Sequence, residues 1–227
     1  MTNSDPGIAG VILAGGRATR MGGGDKPLKP LAGRPMLAYV IERLGPQVNS
    51  MVLNANGDPS RFAEFGLPVV PDSLEGFAGP LAGVLAGLRW AEEAVPESRF
   101  VVSVAGDTPF FPRDLAPRLL EAGGGRDDRI VLAASPDGLH PVFGLWPLKL
   151  ADALETFLTE GEARKILAFT DRHHRTEALF ETLSIDGEEV DPFFNVNTPE
   201  EVERAEAIAK AMQNGNLRGP GARPERP

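Results

Sequence analysis

The stretch Gly10-Val-Ile-Leu-Ala-Gly-Gly-Arg-Ala-Thr-Arg-Met-Gly-Gly-Gly-Asp-Lys26 constrains the chain more than any other. The apolar run Ile8 to Leu13, bounded by glycine, has the length of a buried strand. It opens directly into a loop with five glycines, Gly15, Gly16, Gly22, Gly23 and Gly24, and three cations, Arg17, Arg20 and Lys26. Glycine has no Cβ, so backbone N–H groups in such a loop can converge on an anion, and the cations add mobile positive charge. The pattern describes a polyphosphate pocket with a strand in front and a helix behind. It is not the kinase-type phosphate loop, because Pro27 follows Lys26 where that motif needs a hydroxyl for magnesium. Nor is it the dinucleotide fingerprint, whose glycine spacing differs.

Further along, Pro35 to Leu44 carries Met36, Leu37, Val40, Ile41 and Leu44 at helical spacing, which predicts a helix with Pro35 at its first position. Met51 to Asn56 reads as a strand ending in polar residues, Ser60 to Phe65 as a short helix, and Leu67 to Val70 as a third, very short strand. This β-α-β-α-β rhythm is that of a doubly wound parallel sheet. An irregular segment from Asp72 to Gly83 precedes a helix over Leu81 to Ala94. Phe100 to Asp107 is the clearest central strand, and it delivers a carboxylate to its carboxyl end. Open parallel sheets bind ligands at that edge, so the polar residues that end these strands should converge.

In the second half, the pattern predicts a helix over Pro112 to Glu121, stopped by Gly123 to Gly125, and strands over Ile130 to Ala134 and Pro141 to Trp146. A helix over Leu148 to Leu158 follows, then a short helix within Glu160 to His174 and one extended strand from Thr176 to Ile185. Thr198 as N-cap, Pro199 as first residue and Glu201 as capping-box partner start the last helix. Past Met212 no apolar face remains. The expectation is one domain over 8–212, with a flexible segment over 1–7 and a disordered tail over 213–227.

A chain of 227 residues suits one large α/β domain. Its formal net charge of -9 argues against nonspecific binding to nucleic acid or an anionic membrane, so the few cations matter by location. The absence of cysteine removes disulfides, thiolate metal sites and cysteine nucleophiles. No run approaches the roughly 18 apolar residues of a membrane span, and the polar N-terminus lacks the regions of a signal peptide. A cytoplasmic protein is the expectation.

Several residues are placed for chemistry. Asp107, held after a buried run and before Thr108-Pro109, is a hard oxygen ligand suited to Mg²⁺ that bridges phosphates. Asp72, at another strand exit, is a second acidic candidate. Lys26, with Arg20, can neutralise charge on an α-phosphate and a leaving pyrophosphate. Asn54 offers both amide donors and an acceptor, which suits a base or ribose edge. Asn195 and Asn197 share a face of an extended segment and can grip a second polar substrate or cap the helix that follows. His140, His173 and His174 do not form a convincing metal set, and no Gly-x-Ser-x-Gly elbow is present.

Taken together, Leu13-Ala-Gly-Gly16, Arg20-Met-Gly-Gly, Asp25-Lys26, Gly79-Pro-Leu-Ala-Gly83, Gly106-Asp-Thr-Pro109, His140-Pro141 and Asn195-Val-Asn-Thr-Pro-Glu200 closely resemble the molybdenum cofactor guanylyltransferase family. The likeness runs in order from Ile8 to Ile208. It implies a three-layer, Rossmann-like nucleotide-diphospho-sugar transferase fold with a mostly parallel sheet, in which 8–110 forms the GTP half and 111–212 the pterin half. It also implies Mg²⁺-dependent transfer of GMP from GTP to molybdopterin-bound molybdenum cofactor, with release of pyrophosphate. Cofactor-insertion proteins and recipient molybdoenzymes would be onward partners. By motif, Leu13, Ala14, Gly15, Gly16, Lys26, Asn54, Asp72 and Asp107 would contact GTP, and Asp107 would hold the metal. Gly83, His140, Arg164, Asn195 and Asn197 would face the pterin. The bottom-up mechanism agrees, with the pterin phosphate attacking the α-phosphorus and no covalent enzyme intermediate. Glycine at position 15, where CTP-using relatives carry alanine, leaves room for a purine. The residues also accommodate a nucleotidyltransferase of the same fold acting on a sugar phosphate or phospholactate, and a noncatalytic GTP-binding module.

Overall fold

The computed structural model describes residues 7–15, 24–74, 79–160, 165–185, 187–213 and 217–218. The chain begins with β1 (Gly7–Leu13), then a two-strand hairpin of β2 (Pro30–Leu31) and β3 (Arg34–Pro35), α1 (Met36–Leu44), β4 (Ser50–Asn54) and β5 (Val69–Val70). It continues with α2 (Pro80–Ala94), β6 (Ser98–Ala105), α3 (Leu115–Ala122), β7 (Arg129–Ser135), β8 (Gly138–Pro147), α4 (Ala151–Glu160) and α5 (Ile166–Thr170). The last elements are β9 (His174–Leu179), β10 (Leu183–Ile185), β11 (Glu188–Val190), α6 (Pro199–Gln213) and β12 (Leu217–Arg218).

Seven strands form the central sheet in the order β5-β4-β1-β6-β8-β7-β9. All neighbours are parallel except those of β8, which runs against both β6 and β7. This reversal decides what reaches the site. The carboxyl ends of β1, β4 and β6 share one edge, and the amino end of β8 meets the same edge, with Ser135 opposite Gly138 and Ala133 opposite His140.

Alternation along the strands builds the layers. Ile8 and Ile12 of β1, with Phe100, Val102 and Val104 of β6, pack on Leu37, Val40 and Leu44 of α1 and on Leu115 and Leu119 of α3. Ala9, Val11 and Val101 face the other way, onto Leu81, Val84, Leu85 and Leu88 of α2 and Leu154 and Phe157 of α4. With helices on both faces, neither side of β1 or β6 needs to be polar, which is why these strands read as unbroken apolar runs. A third cluster seats α6 through Ala205, Ile208 and Ala209 against Leu31, Phe110, Ile185 and Val196. Among the described residues, no helix is long and apolar enough to cross a membrane.

Some sequence expectations need correction. Thr176 to Ile185 is two strands in two sheets, because β9 lies at the sheet edge with β7 as its one neighbour among the described residues, and β7 ends at Ser135. Phe180 N–H still reaches Ala134 O at 2.7 Å, after which the chain leaves to pair as β10 with β11 and β12. The tail expected to be disordered from 213 instead keeps Gln213 in α6 and sets Leu217–Arg218 antiparallel to β10. Backbone pairing needs no apolar periodicity, so the residues carry no sequence signal of it. Gly7, expected in the flexible segment, already belongs to β1. The hairpin before α1 turns through Ala32 and Gly33, both with positive φ, and was not foreseen.

Helix α2 lies close on β1 because Gly87 has no side chain. A Cβ there would stand 2.6 Å from Cβ of Val11. Gly87→Ala is expected to lower unfolding free energy by about 1–3 kcal/mol in urea titrations. An unchanged midpoint would show that α2 moves off β1 without cost.

Candidate active site

Strand exits are stitched together before any side chain is considered. Ala14 N–H donates to Asn54 O at 2.9 Å and Gly106 N–H to Leu13 O at 3.0 Å, which ties the ends of β1, β4 and β6 into one edge. Gly15 sits there exposed, and a Cβ added to it would meet nothing within 4 Å among the described residues. Gly16, Arg17, Arg20, Gly22, Gly23 and Arg164 lie outside the described residues.

Lys26 starts a short 3₁₀ turn, Lys26–Leu28, that presses onto the β6 exit, where a Cβ on Gly106 would come within 3.0 Å of Pro27. Its side chain is only 9% exposed, and its ammonium bonds the Asp107 carboxylate and the Asn197 amide oxygen. Lys26 and Asn197 are 171 positions apart in the chain. The 195–197 segment is fastened on both sides of this contact. Val196 N–H donates to Asp107 O at 3.2 Å, and the Thr108 hydroxyl donates to the Asn195 amide oxygen. Behind it, Thr198 Oγ1 accepts from Glu201 N–H at 3.2 Å, while Glu201 Oε2 accepts from the N–H groups of Thr198 at 2.9 Å and Asn197 at 2.6 Å. The capping box therefore holds Asn197 as well as the helix end. The other Asp107 oxygen, Oδ1, has a long contact of 3.4 Å from the Thr108 hydroxyl and is otherwise free for a ligand among the described residues.

On the β4 side, Asn54 is buried and donates to Asp72 Oδ1 at 3.0 Å. Asn56, which the sequence reading did not single out, donates to Asp72 Oδ2 at 2.8 Å and accepts from Asp72 N–H at 2.9 Å. Its signal was available, since Asn54 and Asn56 share one side of an extended segment. Arg61 adds an ion pair to Asp25 at 2.8 Å and a bond to Asn56 O at 2.5 Å. Gly83, expected to face the pterin, packs against Asn54 and Leu13. A Cβ at position 83 would stand 2.3 Å from Asn54 Oδ1 and 2.7 Å from Leu13 Cδ2. The reason is the pitch of α2, whose first turn packs directly on the ends of β1 and β4.

His140 stands further along the edge, stacked on Phe193 with ring centroids 4.5 Å apart. Its Nε2 is 2.8 Å from Ser135 Oγ, and the Ser135 hydroxyl donates to Asp191. Burial pushes this imidazole below its ordinary pKa, while Asp191 and Asp137 pull it back up. Ser135 and Asp191 were not foreseen, because each reads locally as a turn residue and they meet only in the fold, where the end of β7 reaches the residue after β11.

A mostly parallel sheet whose exits bring together an exposed glycine, a buried lysine and a carboxylate defines an α/β protein of the nucleotidyltransferase class. The MobA-like NTP transferase domain matches residues 10–176, and the chain belongs to that family, on its molybdenum cofactor guanylyltransferase branch. A molybdenum cofactor guanylyltransferase of Bradyrhizobium sp. (strain ORS 278) is 49% identical over 207 residues, covering 91% of this chain and 95% of that protein. The crystal structure of molybdopterin-guanine dinucleotide biosynthesis protein A from Archaeoglobus fulgidus superposes with a TM-score of 0.66 at 23% identity, covering 89% of this chain and 98% of that one. A Mycobacterium tuberculosis protein solved in complex with manganese gives a TM-score of 0.62 at 22% identity, covering 88% and 97%. These last two establish the likeness of fold.

Thr198→Ala removes the cap that holds α6 and steadies Asn197. It is expected to cost about 1 kcal/mol of unfolding free energy, with Thr198→Ser close to the parent. Equal melting curves for all three would place the cap outside the energetics of this segment.

Proposed function

We propose that the chain transfers GMP from GTP to molybdopterin-bound molybdenum cofactor, forming the guanine dinucleotide cofactor and pyrophosphate. The observation that carries this reading is the Lys26 ammonium set between Asp107 and Asn197, a cation at the junction of two polar walls. In this reading Leu13, Ala14 and Gly15 form the phosphate cradle, with Asn54 and Asp72 taking the base or ribose edge, and Asn195, Asn197 and His140 face the second substrate; Gly16 and Arg164 are assigned by motif alone. Gly83 serves the nucleotide side, by leaving space for Asn54.

The chemistry needs little from the protein beyond position and charge. An oxygen of the pterin's terminal phosphate attacks the α-phosphorus of GTP in line, the new P–O bond forms, and the bond from that phosphorus to the bridging oxygen of the β-phosphate breaks. The electron pair leaves with pyrophosphate. The attacking group is already an anion, so no general base is required, and Lys26 offsets the charge that accumulates between the α- and β-phosphates. Asp107 suits a divalent cation, for which we take Mg²⁺. It presents a free carboxylate oxygen at the strand exit, and among the described residues no cluster of three ligating side chains surrounds it. That poverty of protein ligands fits Mg²⁺, which keeps waters and phosphate oxygens in its shell. When bound, the ion supplies Lewis-acid stabilisation to the phosphates.

Pyrophosphate release, measured with each NTP and a panel of acceptors, tests the reading. Release with GTP and molybdopterin is expected. Release with a sugar phosphate or phospholactate alone would move the chain to another acceptor, and no release with any acceptor would leave a GTP-binding module. Asp107→Asn keeps a hydrogen-bond partner for Lys26 yet loses the charge, so turnover of the folded protein should fall by at least about a hundredfold, alongside a loss of urea stability from the unpaired ammonium. Lys26→Ala should depress kcat roughly a hundredfold and KM for GTP far less. Gly83→Ala should do the reverse, raising KM for GTP about tenfold as Asn54 is displaced, with the acceptor KM near the parent value.

A further inference from the structure

Ser135, His140 and Asp191 hold the residue types of a hydrolytic triad in a different order. The hydroxyl is in the middle, and its bonding capacity is fully used. Ser135 Oγ donates its hydrogen to Asp191 Oδ2 and accepts from Asp137 N–H at 3.2 Å. Its remaining lone pair faces His140 Nε2 at 2.8 Å. Asp191 Oδ1 is taken by Phe193 N–H at 2.6 Å. A carboxylate only accepts, so the Ser135 hydrogen must point to Asp191, and the bond to the imidazole must then run from Nε2–H to the hydroxyl. A serine that has given its hydrogen to a carboxylate is not activated by the histidine, which excludes a nucleophilic role. What the relay does fix is a tautomer. With Nε2 protonated, a neutral His140 carries its lone pair on Nδ1, which has no partner among the described residues and is not among their buried unpartnered atoms. Burial favours that neutral form. The ring also stacks on Phe193, two residues before Asn195 on the segment fastened to Asp107 and Thr108.

We propose that His140 offers Nδ1 as a hydrogen-bond acceptor to an N–H group of the pterin ring in the second substrate, with Ser135 and Asp191 as positioning residues that hold the required tautomer. This rests on the transfer reaction proposed above. It selects a heterocycle that presents a donor at this point, and disfavours one that presents a lone pair.

Asp191→Asn is the sharpest test. Phe193 N–H needs the amide oxygen, so the amide NH₂ would face Ser135, turn its hydrogen toward Nε2 and move the imidazole proton to Nδ1. In long-range ¹H–¹⁵N spectra of the histidine-labelled full chain, with the signal assigned by its loss in His140→Gln, the wild type is expected to show protonated Nε2 and bare Nδ1. Asp191→Asn is expected to show the inverse, with affinity for molybdopterin, read by pterin fluorescence, reduced roughly tenfold and KM for GTP unchanged. His140→Asn, whose amide oxygen stands near the Nδ1 position, should bind molybdopterin more tightly than His140→Gln, whose amide stands near Nε2. This pair decides the matter should Asp191→Asn not fold. A wild-type imidazole protonated on Nδ1, an inverted tautomer with undiminished molybdopterin affinity, or His140→Gln binding as well as the parent would each overturn the proposal. Wild-type protein that binds molybdopterin but releases no pyrophosphate with GTP would sink the transfer reaction and leave the acceptor assignment standing.

Discussion

Lys26 carries its charge into a nearly closed environment, and a buried ammonium is costly unless it is paired and hydrogen-bonded. Here both conditions are met by residues from distant parts of the chain, Asp107 at the β6 exit and Asn197 just ahead of α6. The consequence runs both ways. The lysine is held at the β6 exit, and the 195–197 segment is held on the sheet by the same contact. Removing one member of such a pair leaves the other exposed to the full desolvation penalty, so the interaction constrains geometry more than it adds stability. Glycine at 106 is part of this arrangement, since the turn that carries Lys26 packs against it.

The sheet decides which residues can join that contact. Parallel β4, β1 and β6 bring their carboxyl ends to one edge, as any doubly wound sheet does. The reversal at β8 widens the edge. A strand that ran with its neighbours would leave its amino end, and His140 with it, on the far side of the molecule. Running against them, β8 delivers His140 beside the segment that contains Asn195 and Asn197, and the hairpin from β7 brings Ser135 to the same place. One topological change thus places His140 and Ser135 on the same edge as the exits of β1, β4 and β6.

Much of this was legible in the residues, and the failures have physical causes. The strands of the first half announced themselves because both faces are buried, so their apolar runs are continuous. Thr198, Pro199 and Glu201 marked the start of α6 through capping chemistry that acts within four residues. Asn54, Asp72 and Asp107 could be seen as strand-exit polar groups, and they do meet along one edge. Long-range pairing was not visible. Nothing local says that Lys26 meets Asn197, that Gly83 abuts Asn54, or that Ser135 and Asp191 share a hydrogen. The break between β9 and β10 was hidden for the same reason, since a strand's length depends on whether its neighbour continues.

The two walls of the edge differ in how their polar groups are satisfied, and this bears on selectivity. On the β4 side, Asp72 receives amide hydrogens from Asn54 on one oxygen and Asn56 on the other, so a ligand that bonds Asp72 competes with groups already in place. Either amide is then freed to bond the ligand in turn, and the exchange is close to balanced only for a partner with matching donors and acceptors. On the β8 side, Ser135 is fully bonded, each Asp191 oxygen already accepts a hydrogen, and among the described residues Nδ1 of His140 has no partner. Turning the Ser135 hydrogen toward the imidazole would leave its oxygen facing the Asp191 carboxylate, so this tautomer resists rearrangement to suit a mismatched partner. In the proposed assignment, then, the Asp72 side exchanges amide bonds with its ligand, while the His140 side offers one acceptor and discriminates by leaving it unpaired when the wrong group arrives.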